Sequence, residues 1–174
     1  LAYTGKSNML EVWPHMQGYF HGGVGFGPYR SQFESFFPSE QLIYHEIYNS
    51  SEGFFAVQDR ASEGGMMLLI NNGILFEFIP LEEFDKAQPR TVTIDQVQKG
   101  EKYAMVISSN AGIMRYKVGD VVEFESTQPL RIRITGRTGH FINVFGEEVM
   151  VHNTDKAISE ACLHLKASII EYTV

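Results

Sequence analysis

Four short stretches hold the side chains best suited to chemistry. The first is Tyr48-Asn49-Ser50-Ser51-Glu52-Gly53. A polar turn of this kind offers backbone N–H groups and two hydroxyls to an anion. Glu52 suits Mg²⁺, which takes a carboxylate or two and completes its shell with water and phosphate oxygens. Tyr48 brings an aromatic face able to stack on a flat ring. The second stretch is Arg115-Tyr116-Lys117-Val118-Gly119-Asp120. Gly119 permits a sharp backbone turn, and an ionised Asp120 accepts hydrogen bonds from a pair of neighbouring hydroxyls. The third is Thr135-Gly136-Arg137, where a planar guanidinium at a strand end grips phosphate or sugar oxygens. The fourth is His21-Gly22-Gly23, whose adjacent glycines let a flat ring approach the backbone. Taken singly, each also reads as an ordinary surface turn with solvated polar groups.

Other chemistries fail on spacing. The glycine cluster from Gly22 to Gly27 meets Pro28 where a dinucleotide-binding fingerprint starting at Gly23 needs its third glycine. There is no GxxxxGK[ST] loop and no GxSxG elbow. The 6 histidines show no zinc-type spacing. A net charge of −7 and no Lys/Arg cluster leave nothing to bind nucleic acid. No apolar run approaches the roughly 20 residues that span a bilayer. The single cysteine, Cys162, rules out an internal disulfide framework and fits a reducing, cytoplasmic setting. No signal peptide is visible, and a first residue that is not Met fits a chain cut from something longer.

The elements that must position these groups are mostly strands. Residues 10–13 and 17–21 read as short strands, the second running into the glycine cluster. Tyr29, Phe33, Phe36 and Phe37 recur at helical spacing, so a helix is expected up to about Pro38. Strands are expected at 41–48 and 54–58. Residues 66–70 and 74–79 flank Asn71-Asn72-Gly73, a hairpin signal. The acidic segment 80–89 reads as an exposed loop or short helix. Further strands are expected at 103–108, 121–124 and 130–135. Beyond Arg137 the pattern changes to a hairpin around Phe145-Gly146, a helix capped by Asn153, and a strand at 168–173. That tail is too small to hold its own core. The expected fold is therefore mixed α/β: residues 1–136 as the strand-rich end of a large domain, and residues 137–174 as a hinge and the truncated start of a small α+β domain.

In order, the four stretches resemble the motifs of the adenylate-forming enzymes: an adenine-facing double glycine, YxSSE, YRxGD, and a GR at an interdomain hinge. The forms YNSSEGFF, RYKVGD and ITGRTGHFINVFGEE are most similar to the Gretchen Hagen auxin-responsive family of acyl-acid amido synthetases, in particular its bacterial branch. The resemblance implies an ATP-dependent ligase. A carboxylic acid attacks the α-phosphate of Mg·ATP to give an acyl-adenylate and pyrophosphate, and an amine or amino acid then displaces AMP. It implies that Tyr48 stacks on adenine beside Gly22 and Gly23, and that Asn49, Ser50 and Ser51 line the phosphates. Glu52 would orient Mg²⁺. Tyr116 and Asp120 would meet the ribose, with Arg137 beside it at the hinge. Val24 and Ile47 would border the acyl pocket, and Ser51 and Glu52 would carry the catalytic step. Activation of this kind needs placement and charge neutralisation more than a nucleophilic side chain. The chain departs from the family pattern in three ways. No phosphate loop precedes the four stretches, Lys117 stands where arginine is usual, and Thr138-Gly139 follow Arg137 where relatives carry a lysine. A thioester ligase using coenzyme A and a non-catalytic nucleotide-binding module of the same fold remain open readings.

Overall fold

The structure is a computed structural model that describes residues 1–23, 26–60, 64–138, 142–144, 147–149, 151–167 and 169. Ten strands and two helices are described, with short 3-10 turns between some of them. The strands are β1 (Gly18–His21), β2 (Ile43–Ser50), β3 (Gly53–Val57), β4 (Met66–Leu68), β5 (Ile74–Pro80), β6 (Lys102–Ser109), β7 (Tyr116–Thr127), β8 (Leu130–Arg137), β9 (Ile142–Val144) and β10 (Glu147–Val149). The helices are α1 (Arg30–Phe36) and α2 (Val151–Leu165). Eight strands form one sheet in the order β1-β2-β3-β4-β8-β7-β6-β5, and β9 pairs with β10. Only β1 and β2 run parallel; the other paired strands of the large sheet are antiparallel. The mixed α/β expectation holds.

The sheet coils so that its late strands return to its early ones. Asn72, just before β5, donates to the Phe54 carbonyl in β3. A Cβ on Gly53 would sit 2.7 Å from Ile74 Cδ1, so the start of β3 and the start of β5 touch and position 53 must stay bare. The inside of this curl is aromatic. Phe55, Phe78 and Phe124 are fully buried, and Phe78 meets Phe124 edge-on at 5.0 Å between ring centroids. Edge-to-face contacts of this kind add to the stabilisation from area burial. β6 is buried at five successive positions from Tyr103 to Ile107. Its second face is covered because Ala104 and Val106 pack with Ile79 and Phe84.

Three expectations change. Residues 10–13 do not form a strand: Asn8 caps a 3-10 turn at Met9–Glu11 with its side chain, which satisfies the backbone locally. The Asn71-Asn72-Gly73 turn does not close a hairpin. β4 pairs with β3 and β8 while β5 pairs with β6, so the turn carries the chain across the mouth of the curl. Helix α2 begins at Val151, which places Asn153 inside it and not at its cap. The expected strands at 121–124 and 130–135 are both longer, as β7 and β8. The expected strand at 168–173 lies outside the described residues apart from Ile169. Among the described residues, no helix is long and apolar enough to cross a membrane.

Candidate functional site

β2 delivers the first motif. It ends at Ser50, and the pairing of β2 with β3 slips between Tyr48 and Asn49. That irregularity turns the Tyr48 side chain into the curl, where it is 4% exposed, and leaves Asn49 exposed. The Tyr48 ring meets Phe55 edge-on at 5.0 Å. Its hydroxyl donates to Asp120 Oδ2 at 2.7 Å.

β7 and β8 deliver the second and third motifs as one unit. Asp120 and Arg137 are direct cross-strand partners. Arg137 Nε donates to Asp120 Oδ1 at 3.0 Å. Gly119 has φ of +92°, the left-handed region that favours glycine, and its carbonyl accepts from both the backbone N–H and the hydroxyl of Thr138. This is the position the family pattern would give to a lysine. Here Thr138 pins the strand end beside Arg137 instead. Lys117, the other departure, lies over the Phe84 ring at 4.9 Å.

The turn after β2 organises itself. Ser50 Oγ donates to Glu52 Oε2 at 2.6 Å and accepts from the Glu52 N–H at 3.2 Å. Hydrogen bonds from Ser50 first, then Ser51, hold the Glu52 carboxyl below the usual carboxylate range, and the Tyr116 hydroxyl adds to them. Tyr116 opens β7, the strand that carries Asp120. The Tyr48 hydroxyl is pushed well above the ordinary phenol range. Burial is the main cause, followed by the Asp120 charge, and Glu52 contributes. The two carboxylates therefore share a neighbourhood bounded by Tyr48 and Tyr116.

The double glycine reaches the same strand end. A Cβ on Gly22 would fall 2.4 Å from the Ile47 carbonyl oxygen, so only glycine fits where β1 leaves the sheet beside Ile47. Ile47 directly precedes Tyr48. Val24, the other acyl-pocket candidate, lies outside the described residues. His21 belongs to an aromatic cluster and stacks on Phe26 with ring centroids 4.0 Å apart.

The structure thus brings together Tyr48, Asn49, Ser50, Ser51, Glu52, Tyr116, Asp120 and Arg137, with Gly22 and Ile47 along the adjoining strand. It differs from expectation at the Tyr48 ring, which packs into the core and leaves almost no face open to a base. Sequence reasoning missed Thr138 as a strand-pinning residue. The available signal was its place one residue past the partner of Asp120. Glu52 fits Mg²⁺ as one exposed carboxylate flanked by hydroxyls. Among the described residues, no group of three His, Cys, Asp or Glu forms an all-protein cage, which matches a cation that shares its shell with phosphate.

The sheet and this arrangement define the class: part of an adenylate-forming enzyme fold. A solved GH3.15 acyl acid amido synthetase superposes with a TM-score of 0.71 over 91% of this chain and 28% of that one, at 22% identity. A 2-hydroxyisobutyryl-CoA ligase, solved with 2-HIB-AMP and CoA, gives a TM-score of 0.51 over 83% of this chain and 32% of that one, at 15% identity. Residues 67–137 match the GH3 family central domain. The indole-3-acetic acid-amido synthetase GH3.8 of Oryza sativa subsp. indica is 30% identical over 140 residues, which is 73% of this chain and 23% of that protein. The jasmonoyl–L-amino acid synthetase JAR4 of Nicotiana attenuata is 37% identical over 82 residues, 45% of this chain and 14% of that protein. This chain belongs to the GH3 family, and it spans about a quarter of the length of GH3.8.

Proposed function

We propose that this chain supplies the ribose-facing and metal-facing parts of the nucleotide site in a longer, ATP-dependent acyl-acid amido synthetase. Residues 1–136 would close the large domain, and residues 137–174 would form the hinge and open the small one. The observation that carries this reading is the convergence of Asp120 and Glu52, from strands far apart in sequence, around Tyr48 and Tyr116.

Each residue then has a chemical task. Asp120, an acceptor, takes the ribose hydroxyls. Arg137, beside it, supplies a permanent positive charge to the nucleotide. Ser50 and Ser51 offer hydroxyls to the phosphates. Glu52, kept ionised, holds Mg²⁺, which neutralises charge on the phosphate oxygens. A carboxylate oxygen of the acid attacks the α-phosphorus and pyrophosphate departs. The nitrogen of an amine or amino acid then attacks the acyl carbon, AMP departs, and the nitrogen loses a proton. Gly22 and Ile47 border the space left for the acyl group.

Carboxylate-dependent pyrophosphate release by the full-length protein tests this, with hydroxylamine, amino acids and coenzyme A supplied separately as acceptors. The expected result is release with a subset of acids, its loss in Glu52→Ala, and an amide product. Absence of release across a broad acid panel, or a Glu52→Ala variant as active as the wild type, overturns it.

A further inference from the structure

The two oxygens of Asp120 are held by very different donors. Oδ2 takes the Tyr48 hydroxyl, from a side chain 4% exposed inside the aromatic core. Oδ1 takes Arg137 Nε, from a side chain 63% exposed. Both oxygens already have a protein donor. A ligand that binds through Asp120 must displace one of them or share with it.

Displacing Tyr48 would strand a buried hydroxyl, which costs the full desolvation of that group. Displacing Arg137 returns an exposed guanidinium to water, and pairs of that exposure contribute little. The ring itself offers no platform. It lies edge-on to Phe55 at an interplanar angle of 67°, and almost none of its surface is open. Burial and the Asp120 charge also keep the phenol protonated, so it donates at every working pH.

We propose that Tyr48 is a positioning residue: its hydroxyl anchors Asp120 Oδ2 so that Oδ1 is the oxygen presented to a vicinal diol, which takes the place of Arg137 there. This rests on the reading that Asp120 receives the ribose. The released Arg137 side chain then stands next to the bound nucleotide with its charge unpaired. Nucleotide binding in this arrangement exchanges one exposed ion pair for hydrogen bonds to a fixed carboxylate oxygen. The aromatic ring of the motif serves the core, and its oxygen serves the site.

The experiment compares AMP with 2′,3′-dideoxy-AMP by calorimetry on the full-length protein. The wild type is expected to prefer AMP by at least tenfold, since each hydrogen bond to a charged group is worth about that or more. Tyr48→Phe keeps the ring and removes the anchor. It should cut AMP affinity by about tenfold and leave dideoxy-AMP binding unchanged, with KM for ATP rising more than kcat falls. A second variant avoids touching Tyr48. In Asp120→Asn the single amide oxygen stays on the Tyr48 hydroxyl, the outward group becomes an NH₂ donor, and the diol preference disappears. Equal AMP binding by Tyr48→Phe and wild type overturns the proposal, as does an equal penalty for AMP and dideoxy-AMP. A diol preference that survives in Asp120→Asn also overturns it, because the amide oxygen is then free to face outward. Asp120→Ala separates the two levels: full AMP affinity there means that Asp120 does not receive the ribose at all.

Discussion

Asp120 and Glu52 are both carboxylates of one candidate site, yet they are built in opposite ways. Asp120 is 9% exposed, and its donors come from residues 72 and 17 positions away. Its direction exists only once β2, β7 and β8 have assembled. Glu52 is bonded by a serine 2 residues away in the turn that carries it, and that turn needs little of the fold to form. The difference teaches where each group's energy goes. Asp120 is part of the scaffold and of the site together. Glu52 is free of the scaffold, so its carboxylate can be committed to a cation.

A third carboxylate sets the scale for that comparison, because it has long-range partners and no place in the site. Asp59 accepts from both terminal nitrogens of Arg131, with Nη2 to Oδ2 at 2.8 Å, and the Arg131 side chain is 5% exposed. Asp59→Ala leaves that guanidinium buried and unpaired. A loss of about 3 kcal/mol is expected by urea denaturation, with AMP affinity unchanged. Arg131 holds the Asp59 carboxyl below its ordinary value of 3.8. A lowered folded-state value means that the pair stabilises fully above that ordinary value and loses its contribution as pH falls through the lower one. The gap between variant and wild type should therefore shrink in acid below that value. A gap under 1 kcal/mol at neutral pH would remove the contrast between long-range and local carboxylates.

Asp120→Ala comes next. It leaves the Tyr48 hydroxyl buried without its acceptor, so a stability loss of about 2 kcal/mol is expected, together with loss of AMP binding. Glu52→Ala should leave the urea midpoint where it is and remove carboxylate-dependent pyrophosphate release. Loss of stability in the Glu52 variant, or none in the Asp120 variant, would reverse the assignment of scaffold and ligand roles.

Sequence alone reached the site's members because their types sit close together within each motif. Serine, serine and glutamate in one turn are legible without a fold. The link between motifs was not, because it depends on strand register. That Asp120 faces Arg137 follows from how β7 and β8 pair across bulges, and those slip between Val121 and Val122 and again between Phe124 and Ser126. The Tyr48 ring was misplaced for a related reason. An aromatic at a strand end has two faces of the sheet to choose from, and the slip after Tyr48 selects the core. The Asn71-Asn72-Gly73 turn was legible as a turn but not in its use. A coiled sheet lets consecutive strands β4 and β5 lie apart, held by Phe55, Phe76 and the neighbours that pack between them.

The smallest expected effect bears on the one contact that joins the two carboxylates. Ser50 is the first cause of the lowered Glu52 value, so Ser50→Ala should let that value rise toward the ordinary 4.5. The ionised form is the one that holds Mg²⁺. A lowered value keeps the site charged further into acid, and raising it must move the acid limb of pyrophosphate release to higher pH. Tyr116→Phe removes the last and weakest cause, so its limb should move the same way by less. That small shift is informative because Tyr116 sits in β7 and Glu52 does not. Identical acid limbs for wild type and Tyr116→Phe would mean that Glu52 is held by its own turn alone. Asp120 and Glu52 would then meet through the bound nucleotide and not through the protein.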